Sequence, residues 1–548
     1  MTDAERHAPR IPAPRVRRAM LALAMPLVGL LYIAQGIYYA RVLVPSGDMT
    51  VYLVAGSLAV RGELNLFDDR LPGHRAPLPF YVLGLTQVLA GGPSLLAARW
   101  LNVALGLLTL LLTAALARRL AGDAAALLAG LFLATQGVVV AYYSYEGYVA
   151  LAALSFIATL FVLLGGDSPH RRLLGTALNG LFFFVRSNLW PAVPFLLAYA
   201  LWRARSRAER ALLAALVVLP PLFFFAWDPR HLKLLAYVPV LRRLVAPLGY
   251  VSVLALEGRE TMPLVAQLWE MARLVRRYEF WVLATVVLLL IVVWRLAMGR
   301  SVPWVLGNQK FVMLWGLLIY MVTTQVLIYS WNGYWNWKWM GLYFLPFSPL
   351  VPLLLGVGFG ELLREASVRS RSRKLLSGLL VLLLLPPIFV VRNPGLPAGE
   401  TLTRDPFSAA NRAAAHLRRV VPQEAKVFFF GWIVGYYLSG LPPTYLQQAY
   451  GNWHLTGVSH LGGVPVDDFT LRKSGFVPLS DLAQWLSADA DYAVIDSAYL
   501  DAHRDQFPVA IRTMETLLDR HFERVETVSD YTPAATYDVY RRKSRAGG

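Results

Sequence analysis

Asp48 stands just past the first apolar stretch, in VPSGDMTVYLVAGSLAVRGELNLFDDRLPGHRAPLPFY. An acidic residue at the mouth of a membrane helix is costly if it enters lipid, and is a functional candidate by default. At a membrane surface its carboxylate can take the proton of a hydroxyl acceptor. Asp is equally a favoured N-cap, and a helix starting at Met49 offers Asp48 that role as well. Cations stand at the ends of other apolar stretches: Arg75 before a proline pair, Arg186 in FFFVRSNLWP, and Lys338 in YSWNGYWNWKWMGLYFLP. Arginine or lysine can stabilise a departing phosphate without a metal. A second carboxylate, Glu146, lies in YYSYEGYVALAAL. Each has a plainer alternative. Glu146 could be a solvated turn residue, Arg186 a cap for helix carbonyls, and Lys338 a snorkelling lysine in an aromatic belt. Taken together, two carboxylates and several cations suit sugar transfer from a lipid-linked phosphate. Tyr52, His74, Asn188 and Asn336 are the polar residues expected to line the cavity beside them.

The elements that must position these residues are membrane spans. The chain has 548 residues, of which 57% are hydrophobic and 16% charged, with a mean hydropathy of +0.48. That composition means a polytopic helical membrane protein. The absence of cysteine excludes disulfides and thiol nucleophiles. The net charge of +18 does not indicate nucleic acid, because the arginines sit in short runs between apolar stretches. Arg15, Arg17 and Arg18, then Arg118 and Arg119, Arg171 and Arg172, Arg203 to Arg207, and Arg369 to Lys374 recur after every second span. This is the positive-inside pattern. The basic arm and long first span read as an uncleaved anchor.

Eleven spans are expected, near 19–41, 95–117, 123–141, 147–165, 173–185, 189–202, 211–227, 280–296, 311–330, 341–359 and 375–391. The fifth and sixth are short for a bilayer and read as half-buried helices meeting at Arg186, Ser187 and Asn188. Tyr52, Ala55, Ala59 and Gly62 fall at helical spacing, which predicts an amphipathic helix lying on the membrane. The stretch 77–91 is taken as interfacial. Spans and surface helices (42–94) together make residues 1–392 one membrane domain. The parity of the count puts the N-terminus in the cytoplasm and everything after 392 outside it, in a cell inner or plasma membrane.

From about 393 the pattern changes to strand–helix alternation. AKVFFFG, DYAVIDS, FERVETVS and ATYDVYRR read as strands, and Ser408–Val420, Ser480–Ser487 and Pro508–Arg520 as helices. Residues 393–548 are therefore expected to be a soluble extracytoplasmic α/β domain.

The first 390 residues resemble the C superfamily of membrane glycosyltransferases. The resemblance rests on GDMTVYLVAGSLAVRGELNLFDD, on RAPLPFYVLG with ARWLNVALGLLTLLLTAALARRL, and on WKWMGLYFLPFSPLVPLLLG. It implies a short anchor, an acidic residue opening the first outer loop, surface helices and many spans. In the branch of protein mannosyltransferases and lipid A aminoarabinose transferases, a Lys-Pro-Pro-Leu element precedes a surface helix. Arg75 to Leu78 is similar to it, so the resemblance gives Arg75 the role of meeting the lipid phosphate. The second outer acidic residue of the family corresponds to Glu146. The lone Asp48, without a following Glu, is more similar to polyprenyl-phosphate mannosyltransferases.

The expected function is a glycosyltransferase moving a hexosyl or pentosyl group from a polyprenyl-phosphate-linked donor to an extracytoplasmic hydroxyl acceptor, with inversion. The acceptor is a lipid, glycan or protein, and Asp48 is the catalytic base. Arg75, Arg186 and Lys338 are expected at the donor phosphate and Glu146 at the acceptor or a metal. The sequence requires no cofactor, although a divalent metal is compatible with it. The alternative is a transporter or flippase of a lipid-linked glycan. Transporters often carry internal repeats and broken helices at the midplane. No repeat is found here, and the polar residues gather at span ends.

Overall fold

The computed structural model describes residues 14–66, 76–227, 278–299, 307–331, 343–369, 371–386, 407–431, 433–442, 477–502, 508–528 and 536–544. Short pieces within 232–248, 265–269 and 460–468 and a few isolated residues are also described. Some side chains within these ranges, that of Asp48 among them, are not.

The membrane part is a helical bundle. Its helices are α1 (Pro14–Val42), α2 (Gly47–Val60), α3 (Leu78–Leu89), α4 (Leu95–Ala121), α5 (Asp123–Thr135), α6 (Gly137–Tyr143) and α7 (Val149–Leu164). There follow α8 (Pro169–Gly180), α9 (Phe182–Val185), α10 (Ala192–Arg203), α11 (Arg207–Trp227), α12 (Pro239–Val245), α13 (Glu279–Ala297), α14 (Gln309–Trp331), α15 (Leu350–Arg369) and α16 (Arg371–Leu383). Among the described residues, six helices are long and apolar enough to cross a membrane, and α5 with α6, bent by 76°, counts as a seventh where the pair is taken as one broken span. Each of the eleven expected stretches contains helix where it is described, with non-helical residues that include 147–148, 190–191, 348–349 and 384–386. Those at 147–165, 189–202 and 375–391 are shorter apolar helices, and 173–185 is broken between α8 and α9.

At the centre of the bundle, α15 is buried along most of its length and packs on α5. Gly356 and Gly360, one turn apart, lie directly against Ala129 and Ala125. Small residues at this spacing let two backbones approach closely. By contrast, α11, α13 and α16 present leucine, valine and phenylalanine outward, including Leu219, Leu222, Phe223, Leu290, Leu376 and Leu383. In lipid such a surface carries no hydrophobic penalty.

The bundle has two chemically different ends. One gathers ion pairs between loops: Arg118 with Asp123, Arg172 with Glu209, and Arg203 with Asp167, each at 2.7 Å. Lys310 donates to the Leu164 carbonyl at 2.9 Å, and Arg295 pairs with Glu365. The Arg203 guanidinium holds the Asp167 carboxyl below its ordinary value, chiefly through their hydrogen bond. The other end carries the start of α2, the α6–α7 turn and the α9–α10 break.

The helix expected to lie on the membrane is α2, and here the structure differs. Residues 49–57 of α2 are all buried, so it has no solvated face. One side packs on α3, where Gly56 and Gly84 cross with their backbones in contact. Another side is covered by a helix of the C-terminal domain, α18. Of the expected apolar face, Tyr52 and Ala55 are buried, but Ala59 is half-buried and Gly62 lies exposed beyond the helix end, so the helix is not amphipathic as expected. The cover on the other face comes from a segment almost 400 positions on. The stretch 77–91 forms α3, a helix of 12 residues and too short to span.

The C-terminal domain is built on a sheet in the order β1-β4-β6-β5, with β1 (Val427–Phe430), β4 (Tyr492–Asp496), β5 (Phe522–Val528) and β6 (Tyr537–Arg542). Strand β1 is parallel to β4, and the other pairings are antiparallel. A separate hairpin joins β2 (His460–Leu461) and β3 (Val464–Pro465). All four expected strands are present. The helices are α17 (Ser408–Val420), α18 (Ile433–Ser439), α19 (Leu479–Gln484), α20 (Ser497–Ala502) and α21 (Pro508–His521). Alternation along β1 sends Phe428 and Phe430 to a core with Leu482, Ile511 and Met514. Val427 and Phe429 face the opposite way, toward α17 and α18, in a core continuous with the bundle.

That continuity fixes the domain to the polar end of the bundle away from the loop ion pairs. Tyr437 of α18 donates to the Gln87 side-chain oxygen of α3 at 2.7 Å. The same oxygen accepts from the Ser94 amide at 2.8 Å. Burial pushes the Tyr437 phenol above its ordinary value, so it remains a donor at working pH.

Candidate active site

Helix α2 begins two residues earlier than a cap at Asp48 would require. Ser46 occupies the N-cap with extended backbone, and Gly47 and Asp48 lie in the first turn. Asp48 is therefore not the N-cap. An acidic residue in the first turn is still favoured by the helix dipole. Position 48 and Tyr52 are one turn apart and share a face.

Tyr52 is fully buried and is the meeting point of the site. Its ring packs on Phe80 of α3 at 4.6 Å and on Tyr148 at 5.6 Å between centroids. Its hydroxyl accepts a hydrogen bond of 2.6 Å from the Arg186 guanidinium. Arg186 also lies over the Tyr148 ring, 3.8 Å from the centroid, and donates to the Asn188 side-chain oxygen at 3.3 Å. The helix is broken here because Arg186 adopts extended backbone between α9 and the 3-10 turn Ser187–Leu189. Asn188 in turn donates to the Tyr343 carbonyl at 3.3 Å, and its own carbonyl accepts from Gln325 of α14 at 2.9 Å. Three expected site residues, Tyr52, Arg186 and Asn188, thus come together from two distant segments. Arg186 is half-buried, and the reading of it as only a cap for helix carbonyls does not describe these contacts.

Glu146 is placed differently. It is fully buried in the turn between α6 and α7, so it is not a solvated turn residue. Its Oε2 pairs with Nε of Arg99 at 2.5 Å, and its Oε1 accepts from the Ser46 amide at 2.8 Å. The same guanidinium donates to the carbonyls of Ala40 and Leu43 at the end of α1, at 2.9 and 2.8 Å. Aromatic rings of Tyr145 and Phe407 flank it at 5.3 and 4.8 Å. Arg99 was not anticipated from the sequence. Its signal was available: Arg99 and Asn102 are two polar residues three apart inside an apolar helix, where such groups need partners. Among the described residues no group of three or more His, Asp or Glu is placed to hold a metal ion.

Arg75, His74, Asn336 and Lys338 lie outside the described residues.

Compared by sequence, the chain matches no family model and no curated protein. Compared by structure, it is similar to ArnT from Cupriavidus metallidurans bound to undecaprenyl phosphate. The TM-score is 0.54 at 13% identity, over 97% of this chain and 99% of that one. The apo state of the same enzyme gives 0.51 at 14% identity, with the same coverage. The apo oligosaccharyltransferase of Archaeoglobus fulgidus gives 0.50 at 12%, over 96% of this chain and 75% of that one. The likeness extends across the C-terminal domain as well as the first half, so the chain shares the overall fold of these structures.

Proposed function

We propose that this protein is an inverting glycosyltransferase that moves a sugar from a polyprenyl-phosphate donor to a hydroxyl acceptor at the outer face of the membrane. The observation that carries the reading is the gathering of Arg186 and Asn188 around Tyr52, on the helix whose first turn holds Asp48. In this reading Asp48 takes the proton of the acceptor hydroxyl as its oxygen attacks the anomeric carbon. The bond from that carbon to the phosphate oxygen breaks, and the leaving phosphate keeps the electron pair. Arg186, with Arg75 and Lys338, stabilises the negative charge that develops there. Undecaprenyl phosphate bound to ArnT, at 13% identity, supports the donor class by analogy of fold.

The arginine-rich loop end of the bundle lies in the cytoplasm by the positive-inside rule, which places the site and the C-terminal domain outside. The domain covers α2 and shapes the approach of the acceptor, a lipid, glycan or protein. It contributes no reacting group.

The test is an assay of purified protein in lipid nanodiscs with radiolabelled polyprenyl-phosphate sugars and a panel of hydroxyl acceptors. Release of free polyprenyl phosphate with label on an acceptor is expected. Movement of intact donor across a vesicle membrane without release would favour a flippase instead. The reaction as written requires no metal, and a chelator added to the assay measures whether one assists.

A further inference from the structure

The buried pair of Arg99 and Glu146 is bonded to the backbone just before Asp48, at Ala40, Leu43 and Ser46. We infer that Arg99 and Glu146 are positioning residues that hold the α1–α2 junction, and with it Asp48, in the geometry needed for proton transfer. This rests on the proposed role of Asp48 as base.

The junction runs from Leu43 to Met49, and the α6–α7 turn grips it on both sides of position 48. Before it, Glu146 Oε1 accepts from the Ser46 amide at 2.8 Å, and the Tyr145 hydroxyl donates to the Val44 carbonyl at 2.8 Å. After it, the Met49 side chain lies directly on Gly147, leaving no room for a Cβ there. The turn itself is held by α4. Arg99 pairs with Glu146, and Asn102 donates to the carbonyls of Gly147, at 2.8 Å, and Tyr145. Arg99 also ties down the Ala40 carbonyl in the last turn of α1 and the Leu43 carbonyl at the start of the junction. One guanidinium therefore fixes the chain entering the junction and the carboxylate that fixes its next amide.

Both side chains of the pair are 0% exposed, and each Glu146 oxygen already has a donor. A carboxylate so engaged is badly placed to accept a further proton or contact an acceptor. Its negative charge is set against Arg99 in a low-dielectric site, where removing one partner leaves the other uncompensated. The consequence for catalysis is indirect but large, since small displacements of a reacting group are costly in rate.

The experiment is a set of substitutions in the full-length protein in nanodiscs, read by kcat, donor KM and amide hydrogen exchange over residues 43–49. Glu146→Gln is expected to lower kcat at least 10-fold with donor KM within about threefold, and to speed exchange at Ser46. Its amide group turns a donor toward Arg99. In Arg99→Met with Glu146→Gln that conflict is gone, and the side-chain oxygen at position 146 can still accept from the Ser46 amide. This double variant is expected to slow exchange at Ser46 again and to regain part of the lost kcat over the single one, short of native because the Ala40 and Leu43 carbonyls lose Arg99. A double variant no more active than Glu146→Gln, with Ser46 fully protected, would show that the carboxylate itself is needed and would overturn the inference.

If the pair variants do not fold, Tyr145→Phe carries the test. Lower kcat at constant donor KM, with faster exchange at 43–49, supports the inference, and an unchanged kcat overturns it. The base assignment fails separately: an active Asp48→Asn enzyme refutes Asp48 alone, while exchange at Ser46 still reports on the pair.

Discussion

The Arg186 guanidinium donates to the Tyr52 hydroxyl at 2.6 Å, joining two residues 134 positions apart. One belongs to a break between two short helices, the other to the second turn of α2. The contact sets a cation beside the helix whose first turn holds Asp48.

Arg186→Ala should lower kcat/KM for the donor by about 10- to 100-fold, the range of one lost charge-assisted hydrogen bond. Arg186→Lys should fall between that variant and the native enzyme, because lysine keeps the charge but loses the planar fork. Tyr52→Phe should cost about 1 kcal/mol, or several-fold in rate. Steady-state kinetics over a range of donor concentrations would separate these effects, and a native-like Arg186→Ala would remove Arg186 from the donor site.

Gly84→Leu should separate α2 from α3, because any Cβ at Gly84 meets the Gly56 backbone. Overpacking of this kind costs about 1–3 kcal/mol. A lower Tm and reduced transfer are expected together. Gly378→Ala in α16 is the control, since its added Cβ meets open space. It should leave Tm unchanged or raise it, as alanine is the better helix former.

Tyr437→Phe should loosen the C-terminal domain from α3 by about 1 kcal/mol. The native contact also has a pH signature. Burial raises the folded phenol above its unfolded value, so the contribution is fully present below about pH 10, the ordinary phenol value. It is lost as pH rises through the folded value. The Tm difference between the native protein and Tyr437→Phe should therefore be flat from pH 6 to 9 and shrink only at higher pH. A Tyr437→Phe variant with native Tm across the whole range would mean the contact does not hold the domain.

A reporter fused after Gly548 should be active outside the cytoplasm. Activity confined to the cytoplasm would reverse the proposed sidedness of the site and the domain together, because both lie at one end of the bundle.

How much of this was legible in the sequence depended on whether a residue's partners are local. The strand Val427–Phe430 is a continuous apolar run and Tyr537–Arg542 alternates, so both are legible directly. Arg186 interrupts an apolar run, so it declared itself, and Asn188 came with it. The burial of α2 was not legible, because its cover is Tyr437 and its neighbours, far along the chain. The pairing of Arg99 with Glu146 was hidden for a related reason. Glu146 reads from the sequence as a site carboxylate rather than as the partner of Arg99, and only the packing of α4 against the α6–α7 turn brings them together. The helix start at Gly47 moved Asp48 from cap to first turn, a shift of the kind that boundary reading from sequence leaves open.

The central claim is that Asp48 is the base, and the most direct measurement is single-turnover transfer by purified Asp48→Asn enzyme loaded with donor. The amide cannot accept the acceptor proton, so the rate should fall by about 10²- to 10⁴-fold while donor affinity stays native. Transfer within a few-fold of the native rate, at native donor affinity, would contradict the account.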